Sequence, residues 1–169
     1  MPRDVLYRIE VKDVPAQDVA VIATRMPAAE VGAWLRAAIR ELIAVAGQQG
    51  AGPPFSVLPD AGAEGMVDLE AVLPVVASMP PSGRIERRED PAYRAIVALH
   101  HGSHDELPSL RSALRNAMRL QGVAPAGEPR HVYLSDQEGG RSLTEVVLPI
   151  DVPAGWRPSP ALFTEPLMP

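Results

Sequence analysis

The chain has no cysteine and, among 169 residues, only seven aromatic side chains. The first absence excludes a disulfide framework, a thiolate metal site and a cysteine nucleophile. Lysine is nearly absent too: of 16 basic residues fifteen are arginine, and the exception is Lys12. No run approaches the roughly 18 apolar residues of a spanning helix. The start, MPRDVLYRIE, has no apolar core of a signal peptide, so no membrane partner and a cytoplasmic location are expected. A basic excess is missing as well. With 21 acidic against 16 basic residues and a net charge of −5, no nucleic-acid partner is expected, because phosphates require a surplus of Lys and Arg. Such a surface favours cationic ligands.

Catalytic and cofactor signatures are equally scarce. The sequence contains no P-loop, no G-x-G-x-x-G after a strand, no G-x-S-x-G and no HExxH, and no cofactor is expected. His100, His101 and His104 crowd into LHHGSHDEL, yet a glycine separates them and no ligand spacing is completed, so no metal is expected. Loop histidines beside a cleft fit a hydrogen-bonding role or a plain surface role.

What the chain does have is an internal repeat. RIEVKDVPAQDVAVIA (8–23) aligns with RIERREDPAYRAIVAL (84–99) at an offset of 76, and later positions align at 75: Gly47 with Gly122, Val57 with Val132, Glu70 with Glu145, Pro74 with Pro149. Repeat one runs over about 6–76 and repeat two over about 82–151, followed by a proline-rich C-terminal extension, 152–169. A single domain over 1–169 is expected, since 46% hydrophobic and 22% charged residues are those of an ordinary globular chain.

Each repeat reads as strand, helix, strand, strand. Residues 7–12 and 18–24 are β-prone runs broken at Val14-Pro15, either one bent strand or a hairpin-like pair. From about 28 to 46, Val31, Trp34, Leu35, Ala38, Leu42 and Val45 form an amphipathic stripe that Gly47 ends. FSVL (55–58) and VDLEAVLPV (67–75) are strands. The second copy has a strand near 93–100, a helix near 105–121 striped with Leu107, Leu110, Leu114 and Met118, and strands near 130–134 and 142–150. Its N-cap is Ser103 or Asp105. The expected fold class is α+β: a duplicated strand-helix-strand-strand repeat with pseudo-twofold symmetry, antiparallel sheet, one long helix per repeat and a cleft between repeats.

The repeated glutamate is the feature to explain. Glu145 shares a strand face with Leu143 and Val147, and a covered carboxylate needs a partner or a raised pKa. Such a group attracts a cation or serves as a general base. The structural alternative is an ion pair with one of the many arginines, which a duplication would repeat at Glu70. Tyr133, Trp34, Phe55 and Tyr93 fill the core or offer flat walls to a planar ligand.

GPPFSVLPD, VDLEAVLPV, HHGSHDEL, PRHVYLSD and SLTEVVLPI resemble, in order, the motifs of the GyrI-like small-molecule-binding domain, also the effector-binding part of MerR-type and AraC-type multidrug regulators. The resemblance covers about residues 6–151. It implies a ligand pocket between the repeats, with Glu145 contacting cationic, lipophilic ligands and Tyr133 as an aromatic neighbour. Glu70, Phe55, Trp34, His101 and His104 complete the candidate ligand-binding set. The chain departs from the family at Leu58 and His104, where tyrosine is frequent.

Three functions are consistent with the resemblance. One is a stand-alone domain that binds a hydrophobic, cationic or planar small molecule, for sensing, sequestration or resistance. With about five residues ahead of the first repeat, direct transcriptional control is not expected. Another is a hydrolase of cyclopropane-bearing DNA-alkylating natural products of the CC-1065 and yatakemycin kind, with Glu145 activating water and Tyr133 assisting. The third is a protein-interaction role such as gyrase inhibition. In the tail, Trp156 and Phe163 form either a lid over the pocket or a loosely attached extension. The sequence leaves the oligomeric state open.

Overall fold

The computed structural model describes residues 9–135 and 142–158. Its strands are β1 (Ile9–Val14), β2 (Gln17–Pro27), β3 (Phe55–Val57), β4 (Met66–Pro74), β5 (Glu86–Asp90), β6 (Tyr93–Gly102), β7 (Ala124–Pro125), β8 (Arg130–Tyr133) and β9 (Ser142–Asp151). Its helices are α1 (Val31–Ala46) and α2 (Leu107–Leu120), each preceded by one 3-10 turn. The fold class is the expected α+β, with one long helix per repeat and antiparallel strands.

The helices start and stop for local reasons. Ser103 Oγ accepts the Asp105 backbone N–H at 3.2 Å, so serine is the cap of the turn that leads into α2. Pro108 then sits in the first turn of α2, where its missing N–H is not needed. At the other ends, the repeat-equivalent Gly47 and Gly122 adopt φ of 55° and 69°. A Cβ would strain that left-handed backbone, which is why glycine ends both helices.

The chain falls into two compact units. One consists of Pro15–Ala92 with Arg130–Val132, the other of the remaining described residues; they are called the α1 unit and the α2 unit below.

In the α1 unit the strands run β8, β3, β4, β2, β5, every neighbour antiparallel. Alternation sends Ala20, Ile22, Leu69, Ala71 and Leu73 to one face, where they pack with Leu35, Ala38 and Leu42 of α1. Val19, Val21, Phe55 and Val72 form a second, smaller cluster on the face away from α1.

In the α2 unit the strands run β1, β6, β9, with β7 on β9. Ile9, Ile96, Ala98, Val146 and Leu148 face Leu107, Leu110, Leu114 and Met118 of α2. The helical stripe expected for 105–121 is therefore buried at all four positions.

Two expectations are corrected. The described part of the first run, from Ile9 on, forms neither a bent strand nor a hairpin with the second: β1 pairs with β6, and β2 pairs with β4 and β5. The lead strand of each repeat thus joins the unit built around the other repeat's helix. In α1, Val45 is 44% exposed and Ala46 is buried in its stead.

Candidate functional site

Glu70 and Glu145 occupy the same place in their units. Glu70 of β4 lies opposite Ala23 of β2, and Glu145 of β9 lies opposite Leu99 of β6. Residues directly opposite in an antiparallel pair share a face. Glu145 is accordingly on the helix-free face of the α2 unit with Val97, Leu99, His101, Leu143 and Val147, since their neighbours in sequence Ile96, Ala98, Val146 and Leu148 fill the helix-side core.

Each glutamate meets a cation from the lead strand. Lys12 Nζ lies 3.5 Å from Glu145 Oε1, with the two side chains 53% and 19% exposed. In the other unit the Arg88 guanidinium donates twice to Glu70, at 2.7 and 2.8 Å. Lys12 and Arg88 are repeat equivalents at the offset of 76. Both pairs run along the same diagonal: Lys12 is opposite Ala95 and Glu145 opposite Leu99, so the line between them crosses Val97. From Arg88, opposite Val19, to Glu70, opposite Ala23, it crosses Val21. The Glu70 carboxylate raises the pKa of Arg88 above the ordinary arginine value, chiefly through its hydrogen bonds. The duplicated ion pair is real, and unequal in strength. Lys12 and Arg88 are the residues missed in the sequence; their signal was a basic residue repeating beside a repeating glutamate.

The other candidates divide between faces. Leu134 N donates to Leu143 O at 3.0 Å, which puts Tyr133 beside Thr144 on the helix side of the α2 unit. There its ring lies 6.2 Å from that of His104, in the turn before α2. Tyr133 and Glu145 are therefore on opposite faces, a correction to the expectation that they share one pocket. His101 is exposed on the Glu145 face, opposite Leu143. Its neighbour His100 is 1% exposed, its Nε2 2.9 Å from the Ser103 carbonyl oxygen.

In the α1 unit, Trp34 packs against the helix-side core, while Phe55 is 4% exposed on the other face. The Arg130 guanidinium lies 5.2 Å over the Phe55 ring. Trp34 and Phe55 thus line no common wall. Of the described tail residues, Trp156 packs away from Glu145. Trp156 Nε1 donates to the Gln121 carbonyl at 3.0 Å, and its ring packs on the α2 core; Phe163 lies outside the described residues. A cavity of about 370 Å³ opens between Arg115 and Met118 of α2 and Leu148 and Pro149 of β9, lined by none of the candidate residues. Among the described residues, no group of three His, Asp or Glu side chains is placed to hold a metal, and no helix is long and apolar enough to cross a membrane.

Comparison with known proteins gives the class first. A family model, the GyrI-like small molecule binding domain, matches residues 7–151. The chain belongs to that family. No protein of curated function matches it.

Among solved structures, the EcmrR C-terminal domain is 19% identical with a TM-score of 0.71, over 87% of this chain and 99% of that one. The chain spans 59% of EcmrR as solved with DNA, at 21% identity, 89% coverage of this chain and a TM-score of 0.74. A hydrolase from Listeria innocua is 11% identical with a TM-score of 0.60, over 85% of this chain and 92% of that one. SAV2435, solved bound to tetraphenylphosphonium, is 9% identical with a TM-score of 0.59, over 85% and 93%. These likenesses establish the fold.

Proposed function

We propose that this chain binds a hydrophobic cation on the helix-free face of the α2 unit, with Glu145 as the anionic anchor. The observation that carries the proposal is a carboxylate one-fifth exposed beside Leu99, which is itself 39% exposed, while Val97 and Val147 of the same face are buried beneath them. A lipophilic cation gains there twice. Its charge meets a carboxylate shielded from bulk water, where attraction is stronger than in solution. Its hydrocarbon surface covers the exposed Leu99 side chain, at about 25 cal/mol per Å² removed from water. His101, on the same face, adds a polar edge.

Membership of a small-molecule-binding family supports the reading, as does SAV2435, a protein of the same fold that was solved bound to tetraphenylphosphonium. Sensing or sequestering such a compound is the role this binding fits. A Glu145–Tyr133 couple acting on one substrate is not part of the proposal, because the two side chains leave the sheet on opposite faces.

Calorimetric titration with tetraphenylphosphonium tests the reading. Glu145→Gln keeps the shape and removes the charge, and its affinity should fall at least several-fold. Equal affinity in the two proteins would remove Glu145 as anchor.

A further inference from the structure

The two glutamates are equivalent by sequence and by place in the fold, but their cations are not. Glu70 is gripped by an arginine fork through two charge-assisted hydrogen bonds, 2.7 and 2.8 Å, a geometry that fixes both partners. Glu145 has a single ammonium at 3.5 Å, on a side chain more than half exposed. That ammonium belongs to Lys12, the only lysine in a chain that uses arginine for its other fifteen basic residues. Glu145 stands opposite Leu99 of β6, and Glu70 stands opposite Ala23 of β2 and Val57 of β3.

From this asymmetry we infer that Lys12 is a displaceable counter-ion that sets the ligand specificity of Glu145, while Arg88 keeps Glu70 closed to ligands. The inference rests on the reading of Glu145 as the anchor. An ammonium is compact and strongly hydrated, so Lys12 returns to water at little cost when another cation takes its place. An exposed pair of this kind is worth about 0.2–1 kcal/mol. Displacing Arg88 would break two bonds that water replaces less well. Lys12 therefore acts as a threshold. A ligand must bring both a positive charge, to replace the ammonium, and apolar surface, to outcompete it over the exposed Leu99. A neutral ligand of the same shape leaves Lys12 in place and gains nothing from the carboxylate.

The experiment measures tetraphenylphosphonium affinity in the wild type, Lys12→Gln, Lys12→Arg and Glu145→Gln, with neutral triphenylphosphine oxide as the control. Lys12 is exposed, so both of its variants keep the fold. Removing the competitor should tighten tetraphenylphosphonium binding by about 1.4- to fivefold, the energy of an exposed pair expressed as a ratio. Lys12→Arg, which gives Glu145 the fork that holds Glu70, should weaken it by a similar factor. The neutral control should show no such spread. If both lysine variants match the wild type while Glu145→Gln binds more weakly, Lys12 sets nothing and this inference is overturned with the anchor intact. If the wild type does not bind tetraphenylphosphonium, or Glu145→Gln binds it undiminished, the anchor itself is wrong and the inference falls with it.

Discussion

Asp90 is 5% exposed, and its carboxylate receives both terminal nitrogens of Arg130, the guanidinium that also covers Phe55. Removing one member of a buried pair leaves the other desolvated, a loss on the order of 3 kcal/mol. Asp90→Ala should therefore lower the midpoint of urea unfolding clearly. Glu41→Ala, which removes the solvent-exposed partner of Arg84, should leave that midpoint unchanged. Equal effects of the two substitutions would contradict the burial.

Asp13 offers a test by pH. The hydrogen bond from Arg94 Nε, 2.7 Å to Asp13 Oδ1, is the main cause holding that carboxyl below its ordinary value of 3.8. A carboxylate depressed in the folded state contributes stability above its unfolded pKa and loses it as pH falls through the folded one. The contribution is thus complete at neutral pH and disappears only on the acid side of about pH 4. Carbon-detected NMR of the Asp13 carboxyl should show its pKa rising toward the ordinary value in Arg94→Ala; an unmoved titration would mean that the pair does not persist in solution.

At the scale of elements, the helices were the most legible part, because a buried stripe repeats in the sequence itself. In α1 the stripe is legible but its border is not. At 100° per residue, Trp34 and Val45 lie on the same flank of the line through Leu35, Ala38 and Leu42. The large indole stays in contact with the core from that border, and the shorter valine emerges into solvent. Strand faces were legible in part. Ile9 and Val11 alternate with polar residues and announce a half-buried strand, but nothing in six residues says which neighbour completes it, so the attachment of β1 to β6 was hidden. The side taken by Tyr133 was hidden for the same reason, since it depends on the register between β8 and β9. Of the candidate site, the duplicated glutamate was legible from the repeat. Its two cations were also in the alignment, unread because their reach across β6 and β2 appears only once the strands are paired.

At the scale of the whole molecule, sequence order and structural unit are crossed, and the crossing predicts where damage spreads. Ile9 opens repeat one, yet it is 3% exposed in the core around α2; Ile85 opens repeat two, yet it is 2% exposed in the core around α1. Truncating either to alanine leaves a cavity that costs about 2–5 kcal/mol. The loss is felt first as local opening of the elements that share that cavity. Hydrogen exchange followed by mass spectrometry should therefore quicken in β6, β9 and α2 for Ile9→Ala, and in β2, β4 and α1 for Ile85→Ala. If each unit were assembled from its own contiguous repeat, the two patterns would be interchanged, with Ile9→Ala loosening α1. Exchange that quickens uniformly in both variants would instead mean that the two units open together.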